Sequence, residues 1–99
     1  MRARWNDIII AESDQTIVIE GNHYFPPDSI NTAVLEPSRT TTTCAWKGTA
    51  HYYSVIDGAD RNVDAAWYYP EPLPAASEIA GYLAFWRGVV VEDSDPASS

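Results

Sequence analysis

Apolar positions along the chain come in short blocks separated by polar breaks. Ala3 to Trp5, Ile8 to Ala11 and Thr16 to Glu20 are the first three blocks. They are rich in β-branched or aromatic residues and too short for buried helices, which predicts strands. Asn6-Asp7, between the first two, is a turn-favouring pair and predicts a hairpin. Glu12 to Gln15 and Gly21-Asn22 are the next breaks. His23-Tyr24-Phe25-Pro26-Pro27 follows, where successive prolines exclude a central strand. Asp28-Ser29 offers a helix N-cap, with Ile30, Val34 and Leu35 near one helical face. This predicts a short helix over about 28–35, ending before Pro37.

The second half reads in the same way. Arg39 to Trp46 holds four consecutive threonines and predicts a strand. Gly48 interrupts, and Thr49 to Ile56 resumes the strand. Asp57-Gly58 signals a hairpin, with the loop lengthened to Asn62, and Val63 to Tyr69 returns. Pro70, Pro72 and Pro74 make a rigid connector, and Pro74 opens a one-turn helix through Ile79. Tyr82 to Trp86 and Val89 to Val91 are the closing strands. The expected fold is mainly β: a single compact antiparallel sheet, folded or partly closed to protect its edges, with one or two short helices. The domain is expected to cover residues 1–92, with 93–99 as a mobile acidic tail.

Composition adds limits. Of 99 residues, 45% are hydrophobic and 12% aromatic, enough to bury a core without disulfides. The net charge is −8, which disfavours nucleic acid and anionic membranes as partners. Cys44 is the one cysteine, so neither an internal disulfide nor a Cys-cluster zinc site is expected. The Ile8–Ala11 run is shorter than a signal peptide requires, and no stretch would span a bilayer. A cytoplasmic location is therefore the expectation.

The chemistry concentrates between Thr43 and Tyr53. This segment holds a thiol (Cys44), an amine (Lys47), an imidazole (His51) and the rings of Trp46, Tyr52 and Tyr53. In an extended chain Cys44 and Trp46 face one way and Lys47 the other. If the register carries past Gly48, His51 and Tyr53 share the face of Lys47, as an anion-binding or acid–base pair. Cys44, activated by His51 or His23, is a candidate thiol nucleophile. A second cluster is Trp67-Tyr68-Tyr69, with Trp67 and Tyr69 on one face; it fills a core or forms a wall for a flat ligand. A third is His23, Tyr24 and Asp28 in the proline-fixed loop, where Asp28 is also the expected helix cap. There is no Gly-rich phosphate loop and no serine elbow. Two histidines do not announce a metal site, and no cofactor is expected.

Tyr24-Phe25-Pro26, Cys44-Ala45-Trp46-Lys47-Gly48-Thr49-Ala50, Ala66-Trp67-Tyr68-Tyr69 and Ile79 to Trp86 together resemble the bacterial family known as domain of unknown function 427. The resemblance runs over roughly residues 1–92, with Ala45 where the family often has proline. It implies a β-tent fold similar to the Mss4-like group. Zinc, which some of those proteins hold through cysteine pairs, is not carried over. The family is sometimes labelled a nucleotidyltransferase domain. Such chemistry needs clustered carboxylates for Mg²⁺. Asp57, Asp60 and Asp64 read instead as solvated turn residues.

Three functional readings stand. The first is a small-molecule or peptide binding module, its cleft lined by Tyr24, Trp46, His51, Tyr53, Trp67 and Tyr69, with Lys47 attracting an anionic group. The second is an enzyme: nucleotide-handling, with Lys47 on phosphate and His51 as acid–base, or thiol-based through Cys44. The third is a structural or partner-binding protein, dimerising through Trp5 and strand edges.

Overall fold

The computed structural model describes residues 1–94. It contains nine strands: β1 (Arg2–Trp5), β2 (Ile8–Glu12), β3 (Ile17–Ile19), β4 (Asn22–Tyr24), β5 (Leu35–Cys44), β6 (Gly48–Asp57), β7 (Asp60–Tyr68), β8 (Leu83–Phe85) and β9 (Val90–Glu92). All ladders between them are antiparallel. They form a three-stranded sheet in the order β2-β1-β9, a β3-β4 hairpin, and a four-stranded sheet in the order β5-β6-β7-β8. The fold is thus mainly β, folded and not closed into a barrel. The expected tail, 93–99, falls largely outside the described residues.

Hairpin turns set the registers. Asn6 and Asp7 both have positive φ, 50° and 63°, as a two-residue primed turn requires. Glu20 and Gly21 do the same between β3 and β4, at 55° and 79°. The loop after Asp57 is tighter than expected: Asp57 pairs directly with Asp60, leaving only Gly58-Ala59 between them. Isolated bridges then join the layers. Ala11 pairs with Ile30, and Phe25 with Leu83, which ties the β3-β4 hairpin to β8.

The expected helix over 28–35 is not formed. Two short 3-10 turns, Pro27–Ser29 and Thr32–Val34, take its place. The Ile30 bridge to Ala11, with Asn31 N–H donating to the Ile10 carbonyl at 2.7 Å, pulls the backbone straight between them. Asp28 makes no cap bond. Asn31 caps the second turn instead, accepting from Ala33 N–H at 3.2 Å. The strand that follows runs through Pro37, which an edge strand tolerates. A third 3-10 segment, Pro74–Ile79, stands where the one-turn helix was expected.

Two groups of buried side chains hold the layers together. One joins the small sheet to the large through Ala3, Ile10, Phe25, Val55, Ala66 and Phe85. The other gathers Tyr24, Ala50, Tyr69, Ala76, Ile79 and Ala84 under the β3-β4 hairpin. The second group forms the floor of the candidate site. Among the described residues no helix is long and apolar enough to cross a membrane.

Candidate functional site

The site begins with a turn. Ala45, Trp46 and Lys47 form the hairpin connection between β5 and β6, so the extended alternation expected through Trp46 does not hold there. Gly48, at φ 109°, lets this turn lie against the Pro70–Pro74 connector. A Cβ on Gly48 would stand 3.4 Å from Leu73 N and 3.5 Å from the Glu71 carbonyl oxygen. Leu73 N–H donates to the Lys47 carbonyl at 2.9 Å. This docking turns the Lys47 side chain inward, where Lys47 is only 7% exposed.

A buried ammonium is costly unless paired. Lys47 Nζ donates to Glu20, from the turn of the β3-β4 hairpin. It also lies 5.3 Å from the Trp46 ring centroid and 5.7 Å from that of Tyr69, within cation–π range. Burial is the largest single influence on Lys47 and acts to lower its pKa. The Glu20 bond, with Tyr24 and Tyr69 beside it, more than offsets this, and the net shift is upward. The hydrogen bond from Lys47 and its charge hold Glu20 below the usual carboxylate range.

Around Lys47 the rings are braced. Trp67 donates its indole N–H to Tyr24 Oη at 3.1 Å, and the two rings meet edge-on at 6.2 Å. Trp86 meets Trp67 edge-on at 5.5 Å. Trp86 is 43% exposed, yet it is held: its indole N–H donates to the Asp64 carbonyl at 2.6 Å, and Arg87 lies over its ring at 4.7 Å. Tyr52 shares a hydrogen bond with Thr42 at 3.0 Å. Tyr52, Trp67, Tyr69 and Trp86, with Asn22 and Lys47, line one hollow of about 270 Å³.

Asp64 is the anchor behind Trp86. It was expected as a solvated turn residue, but it is buried within β7. Its φ is 55°, a conformation that Asp tolerates better than most residues. The register of the β6–β7 ladder shifts at this point, between the pairs Tyr53–Ala66 and Val55–Asn62. Its N–H donates to Ser54 Oγ at 3.2 Å, and its Oδ2 accepts from the Thr40 hydroxyl at 2.7 Å. The Ser38 hydroxyl is the main influence holding its carboxyl below the ordinary range. Burial opposes this, and Thr40 adds to it.

These shifts set a pH dependence. Glu20, Asp64 and Glu92 (paired with Arg4 and Arg2) titrate below their ordinary values of 4.5 for Glu and 3.8 for Asp. Their contribution is present above those values and is lost as pH falls through the lower folded ones. Lys47 and the tyrosines Tyr68 and Tyr69, the latter two raised by burial, titrate above their ordinary 10.5 and 10.0. Their contribution is present below those values and is lost as pH rises. The urea midpoint is therefore expected to be flat from about pH 5 to about pH 9 and to fall on both sides. A midpoint still rising between pH 4 and pH 2 would contradict the carboxylate assignments.

The expected site residues divide between two faces. Tyr52 pairs with Trp67 across β6 and β7, and His51 pairs with Tyr68. Because alternate side chains face opposite ways, His51 and Tyr53 lie across the sheet from Lys47, contrary to the expected shared face. The turn at 45–47 breaks the register count that placed them together. His51 borders a separate groove with Thr49, Pro70 and Glu71. Tyr53 stacks on Tyr68 at 5.0 Å and helps line an apolar hollow of about 340 Å³ with Pro27, Ile30 and Leu35. No charged side chain lines that hollow. Lys47, Trp67 and Tyr69 come together on the other face. Tyr24 supports Trp67 from full burial, and Trp46 sits on the rim, 40% exposed. Cys44 is half-buried against the aromatic group, outside both the hollow that Lys47 lines and the groove that His51 borders. Sequence reasoning missed Glu20, Asn22 and Trp86, and placed Tyr52 in the chemistry-bearing segment but not in the cleft. The Glu20-Gly21 pair at a tight turn was the one local signal.

The family model named NTP_transf_9 and described as a domain of unknown function (DUF427) matches residues 1–95. The chain belongs to that family. No curated protein matches it. In this DUF427 chain the acids weighed for metal chemistry are otherwise engaged. Asn6 donates to both Asp57 and Asp60 at 3.3 Å, and Asp64 turns inward.

Proposed function

We propose that this DUF427 chain is a binding module whose aromatic hollow takes one planar ring, from a small molecule or a peptide side chain. The observation that carries the reading is the convergence of Tyr52, Trp67, Tyr69 and Trp86 with Asn22 and Lys47 on one ring-sized space. Rings supply the contact area, and a few placed polar groups fix orientation. The walls are pre-formed. Trp86 is clamped at its indole N–H and under Arg87 while leaving 43% of its surface open. Little ordering cost is left for a ligand to meet. The separation of His51 from Lys47 favours binding over acid–base chemistry at this hollow.

The test is a screen of ring compounds and aromatic peptides, followed through the indole N–H signals in ¹H–¹⁵N spectra. Hits are expected to shift Trp67 and Trp86 together. Trp86→Ala is expected to weaken them by about tenfold, the equivalent of one aromatic contact. A screen in which every hit moves Tyr53 and Tyr68 instead would sink the reading.

A further inference from the structure

Resting on that cleft reading, one feature of the hollow narrows its ligand. The Lys47 side chain is 9% exposed and must have an anionic partner. The partner it has, Glu20, is poorly secured. The Glu20 side chain is 55% exposed, at the tip of a hairpin with three residues in each strand. Its φ of 55° belongs to a primed turn, where Asn, Asp and Gly are at ease and Glu is not. The carboxylate is delivered to Lys47 by a strained turn and not by packing. The ammonium belongs to the core, and its counter-ion belongs to the rim.

The surroundings say what could take the place of Glu20. Lys47 lines the same hollow as Trp67, Tyr69 and Trp86. A ligand whose ring lies among the indoles would meet the ammonium with a group attached to that ring. One ammonium neutralises one charge. A phosphate monoester would keep a second charge, on a chain already at −8. A carboxylate matches in charge and shape what already sits on Lys47. We propose that the hollow takes an aryl carboxylate, whose carboxylate replaces that of Glu20 on Lys47, with Glu20 as the resident competitor.

Glu20→Asn is the decisive variant. It removes the competing carboxylate, leaving the Lys47 ammonium with the rings of Trp46 and Tyr69, and puts Asn-Gly, the preferred pair, in this turn; far-UV dichroism reports that the variant has folded. Benzoate and benzamide are the probes, titrated into wild type and variant and read at the indole signals. Benzoate is expected to bind Glu20→Asn about fivefold or more tighter than wild type, with benzamide unchanged between the two. Lys47→Met, which keeps the apolar stem, is expected to erase the preference for benzoate; far-UV dichroism reports that it has folded. Equal binding of the two probes to Glu20→Asn overturns the carboxylate assignment and leaves the ring-binding reading in place. Binding of neither probe to folded Glu20→Asn also overturns the assignment, and the ring-binding reading then stands or falls on the wider screen.

Discussion

Phe25→Ala is expected to lose about 3–5 kcal/mol of folding stability, a large share of the margin of a domain this size. The ring is fully buried and meets Phe85 edge-on at 5.7 Å. Its backbone donates to the Leu83 carbonyl at 2.7 Å and accepts from Leu83 N–H at 3.0 Å. Those bonds survive the substitution, so the loss comes from the emptied volume where the β3-β4 hairpin meets β8. Urea unfolding checks it: the midpoint should drop with an unchanged slope. A loss under about 1 kcal/mol would mean that the ring is not close-packed.

Asp64→Ala is expected to cost about 2–3 kcal/mol. Two contributions add: the hydroxyls of Ser38 and Thr40 that favour the carboxylate, and the greater reluctance of alanine to hold a φ of 55°. Asp64→Asn keeps the left-handed tolerance and an acceptor for Thr40, and should cost under about 1 kcal/mol. The ordering matters more than either value. If Asn and Ala are equally harmful, the charge alone is the source and the backbone argument fails. The backbone carbonyl that accepts from the Trp86 indole N–H is kept in Asp64→Ala, so Trp86 loosens only as far as the backbone leaves its φ of 55°.

The legible parts of the fold were those that depend on neighbours in sequence. Asn6-Asp7 takes the backbone form its side chains favour, and the short β-branched blocks became strands. Trp67 and Tyr69 line one hollow and Tyr68 the other, as plain alternation requires. Reading failed where a distant contact decides local shape. The helix expected at 28–35 gave way because Ile30 is drawn straight by Ala11, nearly twenty residues earlier in the chain. Lys47 and His51 parted because the hairpin turns at Ala45–Lys47, one residue before the glycine that seemed to mark the break. Asp64 looked like a turn residue because acids near a hairpin usually are. Its burial depends on Thr40, Ser54 and Trp86, which lie on three other segments. The family motifs located the important stretches but could not say which side chains face which way.

The pairing of β1 with both β2 and β9 has a consequence for how the molecule is assembled. Residues 2–4 form a ladder with 90–92, secured by Glu92 between Arg2 and Arg4. The β1-β2 hairpin can close soon after residues 2–12 leave the ribosome, but the outer edge of β1 then waits until residues 90–92 have been made. Pairings this far apart close late, because the loop entropy must be met before the contact repays it. During synthesis β1 is an exposed strand edge, and β9 is the piece that covers it. A ribosome that stalls before Val90 would therefore release a chain with its first sheet open to strand exchange with a neighbour.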